Sequence, residues 1–226
     1  MSLVFTRTAM RRIDSEAVQD HGMTGLELME NAARGAAQLA CSMLADQEQS
    51  AVILIACGCG NNGGDGWAIS RLLMEDGHQP HVVHLGSPAA GSDASINMER
   101  ARRAGVPSHE YRPGKDLQLP EEPVLVIDAM FGTGLDREME GSPLELARCI
   151  NDLSAPILAI DLPSGLDADT GQPLGEAVRA SATATFVGPK LGFTAAGASA
   201  WTGKVHVVDI GVPPTLLQQH GTPCDH

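Results

Sequence analysis

Three short segments hold most of the residues with chemical capacity, and each is threaded with glycine. They are Gly58-Cys-Gly60-Asn61-Asn62-Gly63-Gly64-Asp65-Gly66, Asp128-Ala-Met-Phe-Gly132-Thr133-Gly134-Leu135-Asp136-Arg137 and Asp161-Leu-Pro-Ser164-Gly165-Leu166-Asp167. In the first, successive backbone N–H groups unobstructed by Cβ atoms form a nest for an anion, above all where a helix begins. A flexible turn is the plainer alternative, but a turn needs a glycine or two, not Asn-Asn-Gly-Gly-Asp-Gly. The segment also spells GxGxxG at Gly58, Gly60 and Gly63. A dinucleotide-binding fingerprint of that type requires an acid about 20 residues on, at the end of the next strand. The corresponding stretch, His81-Val-Val-His84-Leu-Gly86, has none, so an ordinary NAD-dependent dehydrogenase is disfavoured. No Gly-Lys-Ser/Thr occurs, which removes a Walker-type loop.

Asp128 and Asp161 each end an apolar run. A lone Asp there is commonly a turn former or helix cap. Two in equivalent positions, each leading into a glycine-bearing loop, favour function. Asn62, Asp128 and Ser164 together offer amide, carboxylate and hydroxyl oxygens, the donors that hard cations take. With one formal charge among them, a monovalent ion fits better than calcium. Asp161 is a candidate general acid/base. Lys190 in Gly188-Pro-Lys190 is either its partner or a plain surface lysine, and Arg137 is either a phosphate contact or a surface arginine. Nucleophilic catalysis finds no Gly-x-Ser-x-Gly, and Cys57-x-Cys59 lacks the second pair of a zinc site.

These segments need strands to aim them. Ala51–Ala56 is a continuous apolar run, as in a strand buried on both faces of a parallel sheet. Residues 81–85, 124–128, 157–161, the run Ala-Thr-Ala-Thr-Phe-Val ending at Val187, and 205–209 read the same way. Helical periodicity predicts helices over 9–20, from the capping box Thr24-Gly-Leu-Glu27 through Met43, over about 67–76, 92–104 and 142–153. Strands alternating with helices predict an α/β fold: a three-layer sandwich, its sheet mostly parallel, with helices on both faces. Each of the three segments then follows a strand at its carboxyl end, where open α/β sheets bind ligands. The chain, 1–226, reads as one domain, with 212–226 (three prolines) as a tail or linker start.

Composition narrows the partners. The chain has 226 residues and a formal charge of −13, with 43% apolar and 3% aromatic residues. That charge disfavours nucleic acid and anionic membrane surfaces, and so few aromatics disfavour a base-stacking platform. The longest apolar run, Ala51–Cys57, falls far short of the roughly 20 residues of a bilayer span, and Leu3-Val4-Phe5 is too short for a secretory signal. Five irregularly spaced cysteines suggest thiols in a reducing compartment, so a cytoplasmic location is expected.

The three motifs, in this order, resemble the NAD(P)H-hydrate epimerase family, the YjeF N-terminal domain type. The likeness runs from Arg12-Ile-Asp14 and Leu28-Met-Glu-Asn-Ala32 to Gly203-Lys-Val and Asp209-Ile-Gly-Val-Pro213. The resemblance implies a Rossmann-like fold and a homodimer that interconverts the R and S epimers of hydrated NADH and NADPH, a small-molecule repair reaction. It places Asn61, Asn62, Gly63, Gly64 and Asp65 at the substrate's phosphate and sugar. Gly132, Thr133, Gly134, Leu135, Asp136, Arg137 and Glu138 would form a second binding loop, and Asp161 would contact the hydrated ring. One potassium ion per subunit would sit on Asn62, Asp128 and Ser164. The family often has Pro where Glu138 stands and an acid near Ser181. It also implies a functional link to an ATP- or ADP-dependent dehydratase, which many microbes fuse to this domain. Non-enzymatic binding scaffolds built on the same domain are the alternative.

Overall fold

The structure is a computed structural model describing residues 2–48, 50–115 and 117–224. In chain order the elements are β1 (Ser2–Val4), α1 (Arg7–Gln19), α2 (Gly25–Met43), β2 (Val52–Cys57), α3 (Asn61–Glu75), β3 (Gln79–His84), α4 (Asp93–Arg103), β4 (Ser108–Glu110) and β5 (Leu125–Ala129). There follow α5 (Ser142–Asn151), β6 (Ile157–Ile160), β7 (Ala182–Phe186), α6 (Ser199–Thr202), β8 (Lys204–Val208), α7 (Pro214–His220) and β9 (Thr222–Cys224).

Seven strands form one sheet in the order β4-β3-β2-β5-β6-β7-β8, every pair parallel. Strand alternation sends side chains to two cores. Ile53, Ile55, Leu125, Ile127, Leu158 and Ile160 meet residues of α1, α2, α3, α4 and α7 on one face. Leu54, Ala56, Val126 and Ala159 meet α5, through Leu146, Ala147 and Ile150, on the other, together with loop residues such as Tyr111 and Val178. This is the expected three-layer α/β sandwich, with the layers unequal in helix number. Among the described residues no helix is long and apolar enough to cross a membrane.

The strand order reverses between β2 and β5: the chain runs outward through β3 and β4, then returns to build β5 to β8 on the other side. At such a switch point the loops leaving two adjacent strands diverge and open a crevice. Gly58 N–H donates to Ala129 O at 3.1 Å, tying the two loop entrances together.

Two expectations change. The Asn61–Gly66 segment, read as loop, is the first turn and a half of α3, capped by Gly60. Its glycines permit close packing. A Cβ on Gly63 would overlap the Gly58 carbonyl oxygen, and one on Gly66 would lie 2.6 Å from Ala129 Cβ and 2.7 Å from Cys57 Sγ. Of 212–226, read as a tail or linker start, the described residues fold back as α7, which packs on α1, and as β9, which pairs antiparallel with β1, while 225 and 226 lie outside the described residues.

Candidate functional site

The crevice at the switch point is a cavity of about 830 Å³. Its floor is the N-terminal turn of α3, one side the loop after β5, and another the facing surfaces of α1 and α2. Of the residues expected at a ligand, Asn61, Asn62, Asp65, Asp161 and the whole run Gly132–Arg137 line it. Gly63 and Gly64 do not: their Cα atoms point into the packing against Gly58 and against Met29 and Ala94. Glu138 borders a smaller adjoining cavity of about 490 Å³, which shares Phe131, Leu135, Arg137 and Pro143 with the first.

Asp161 follows β6 with φ of +66°, a left-handed conformation that Asp adopts more readily than most residues. Its N–H donates to Ala184 O at 2.8 Å, anchoring it to β7. Oδ2 accepts from Thr133 N–H at 3.2 Å, and Oδ1 lies 2.7 Å from Lys190 Nζ. Lys190 is fully buried and does not reach the cavity. Its ammonium also donates to Thr185 Oγ1 at 2.9 Å, Phe186 O at 3.0 Å and Gly188 O at 3.4 Å. The lysine therefore backs the carboxylate from behind and ties it to the end of β7 and the turn that follows. It is neither a surface lysine nor a group with access to a ligand.

Asp128 is fully buried beneath this rim. Ser164 donates to it twice, from Oγ to Oδ1 at 2.6 Å and from N–H to Oδ2 at 2.7 Å, and Met130 N–H adds a contact at 3.2 Å. Burial pushes the Asp128 carboxyl up to about 6 against the pull of those hydrogen bonds. Ser164 Oγ in turn accepts from Phe131 N–H at 2.9 Å, joining the loops after β5 and β6. Asn62 is more than nine-tenths buried, yet neither its Oδ1 nor its Nδ2 has a hydrogen-bond partner among the described residues. Gly132 marks where the parts converge: a Cβ there would lie 2.9 Å from Asp161 Oδ2 and 3.4 Å from Asn62 Oδ1. Among the described residues no group of three His, Cys, Asp or Glu is placed to hold a metal ion. Any cation here must rely on amide and hydroxyl oxygens as well as one carboxylate.

The cavity is acidic. Asp14 on α1, which carried no functional reading in the sequence beyond its place in the family likeness, lines it with Asp65 and Asp161. Enclosure by the walls and the nearby Asp161 charge push Asp14 up to about 6, with Lys190 opposing. Asp65 is more deeply buried, and desolvation followed by the charges of Asp161 and Asp14 raises it well above the ordinary carboxylate range. The lining cations are Arg11 and Arg137, neither in an ion pair among the described residues. Cys57 and Cys59 are not activated thiols, because burial pushes both upward.

Comparison with known proteins agrees with this geometry. The family model described as YjeF-related protein N-terminus matches residues 25–192. The chain is 38% identical over 213 residues to an NAD(P)H-hydrate epimerase of Rhodopirellula baltica, covering 93% of this chain and 85% of that one. It is 36% identical over 228 residues to a bifunctional NAD(P)H-hydrate repair enzyme Nnr of Salinibacter ruber, covering 96% of this chain but 42% of the longer protein. The crystal structure of yeast ynu0 superposes with a TM-score of 0.77 at 24% identity, over 84% of this chain and 82% of that one, and shares the fold. The motif loops, the switch-point crevice and these matches together establish that the chain belongs to the YjeF-related N-terminal family.

Proposed function

We propose that this chain is an NAD(P)H-hydrate epimerase, an isomerase that interconverts the R and S epimers of hydrated NADH and NADPH. The Asp161–Lys190 pair carries the reading: a carboxylate facing the cavity, fixed by a lysine with no access to it. In the hydrate, the hydroxyl-bearing carbon adjoins the ring nitrogen, whose lone pair can expel the hydroxyl once a proton reaches it. Asp161 exchanges that proton in this reading, and the reaction needs no hydride acceptor. The backbone N–H groups opening α3 and the Gly132–Arg137 loop suit the substrate's phosphates and sugars. An acidic protein can thus hold a dinucleotide through amides.

Asn62, Asp128 and Ser164 fit one potassium ion per subunit: the donors are hard oxygens, the single carboxylate is fully buried, and the Asn62 amide lacks a protein partner. When bound, the ion supplies positive charge at the loop entrances, where the ligand's anionic groups would lie. A cytoplasmic homodimer acting beside a hydrate dehydratase completes the proposal. The bifunctional relatives support the last point. A non-enzymatic scaffold is less favoured, because the Asp161 carboxylate, the lysine that fixes it and the cavity it faces are all present. Asp161→Asn should lower epimerisation by at least 100-fold while ADP-ribose binding holds within about threefold. Turnover at the wild-type rate in that variant would remove Asp161 from the chemistry.

A further inference from the structure

Epimerisation by loss and return of water presents two faces of one ring to the protein. The hydroxyl leaves from one face with a proton, and water enters the other and gives a proton up. One carboxylate on one wall serves one face. The geometry points to Asp14, on α1, as the second acid–base group, addressing the reacting carbon from a different wall of the cavity than Asp161. This inference rests on the epimerase reading above.

Asp14 lies on α1 one turn beyond Met10, and both line the same cavity as Asp161. Helix α1 is held in register with the loops that carry Asp161 and Lys190. Phe5 N–H donates to Pro189 O at 2.9 Å, and Leu191 N–H donates to Phe5 O at 2.8 Å, so the residue before the helix cap clasps Lys190 from both sides. Arg7 N–H donates to Asp169 Oδ1, and Arg7 Nη2 pairs with Asp167 Oδ2, both at 2.7 Å. The motif residue Asp167 thus fixes the start of α1, two turns before Asp14. The Asp14 carboxyl itself has no hydrogen bond or ion pair among the described residues. The charged groups near it are Asp161, Asp65, Lys190 behind Asp161, and Arg11 one turn back on the same helix. It remains open to solvent, whereas Asp65 is nine-tenths buried. With Asp161 itself nine-tenths buried, the exposure of Asp14 gives the pair its route for proton exchange with solvent. Titration near 6 keeps both of its forms populated around neutrality.

The step balances. Asp14, as the acid, gives its proton to the substrate hydroxyl. The C–O bond breaks, its electron pair leaves with water, and the ring-nitrogen lone pair forms a C=N bond. Water then adds to that carbon from the other face, the C=N pair returns to nitrogen, and the Asp161 carboxylate takes the released proton. The opposite epimer runs the sequence backwards, and proton exchange with solvent resets the two carboxyls between turnovers.

The test follows the substrate oxygen. Each purified epimer is incubated with enzyme in ¹⁸O-labelled water, and both label uptake and change of configuration are measured. Wild type should label both epimers. Asp14→Asn should lose at least 100-fold in epimerisation. It should still label the one epimer whose hydroxyl faces Asp161, and leave the other at the uncatalysed rate. Asp14→Ser should repeat the pattern, with thermal melts showing both variants folded. Epimerisation within threefold of wild type, equal labelling of the two epimers, or the one-sided pattern in Asp65→Asn instead would each overturn the assignment. A wild-type protein that neither labels nor epimerises would fail earlier, at the epimerase reading itself.

Discussion

Lys190 Nζ lies 2.7 Å from Asp161 Oδ1, with the lysine fully buried and only the carboxylate facing the cavity. A buried ammonium is costly to desolvate unless surrounded by acceptors, and here three oxygens of residues 185–188 complete its shell. The charge pair and the left-handed backbone at Asp161 therefore hold one carboxylate in one orientation. Breaking the pair leaves a charge without its counterion. Lys190→Met should destabilise the fold by about 3 kcal/mol or more in urea unfolding. Adding Asp161→Asn should recover part of that loss. A single variant as stable as wild type would show that the pair does not hold the loop.

The glycines at the start of α3 differ in what they tolerate. A Cβ at Gly63 would overlap the Gly58 carbonyl oxygen, while one at Gly60 would meet nothing within 4 Å. Gly63→Ala should cost about 3 kcal/mol despite the higher helix propensity of Ala, and Gly60→Ala under about 1 kcal/mol. Thermal melts of the pair separate the two roles. Equal effects would return the segment to a flexible loop.

Acid should stabilise the ligand-free protein in the window where most proteins begin to weaken. Asp14 and Asp65 carry folded values raised above their ordinary 3.8. Between that value and the raised one the folded state binds more protons than the unfolded state, so stability falls as pH rises. For Asp14 the window is about pH 4 to 6, and Asp65 extends it upward. Asp65→Asn should therefore raise the melting temperature at neutral pH and flatten the fall in stability from about pH 4 upward. A wild-type profile that climbs across that range would contradict the assignment.

A potassium ion held only by the native state would raise stability with the logarithm of its concentration once the site is well filled. Melting temperatures in potassium chloride should exceed those in tetramethylammonium chloride at equal ionic strength. Asn62→Ala should abolish the difference, since its amide is the buried group without a protein partner. An unchanged difference in that variant would place the ion elsewhere.

Much of this site is legible in the sequence because the central strands are buried on both faces and read as continuous apolar runs, Val52–Cys57 above all. The loops that follow them then fall together by sheet geometry alone. The start of α3 is not legible, since glycine opposes helix locally and only the contacts with Gly58, Met29 and Ala129 show why it is tolerated. Strand β4 has three residues, none fully buried, and leaves no hydrophobic signal. The prolines at 213 and 214 suggest a linker, yet proline also suits the first turn of a helix, which is their place before Leu216 packs into the core. Asp14 is the instructive omission. On an amphipathic helix a carboxylate reads as solvated face, and only the path of α1 beside the loop after β6 turns that face toward a ligand.

The central claim meets its most direct test in one time course. The purified R epimer of hydrated NADPH is mixed with the protein in potassium buffer, and the S epimer is followed by chromatography against a protein-free control. Formation of S to the equilibrium ratio, far faster than the control and lost in Asp161→Asn, is the result expected of an epimerase. Conversion at the control rate by folded wild-type protein would contradict it and leave the chain a binding scaffold.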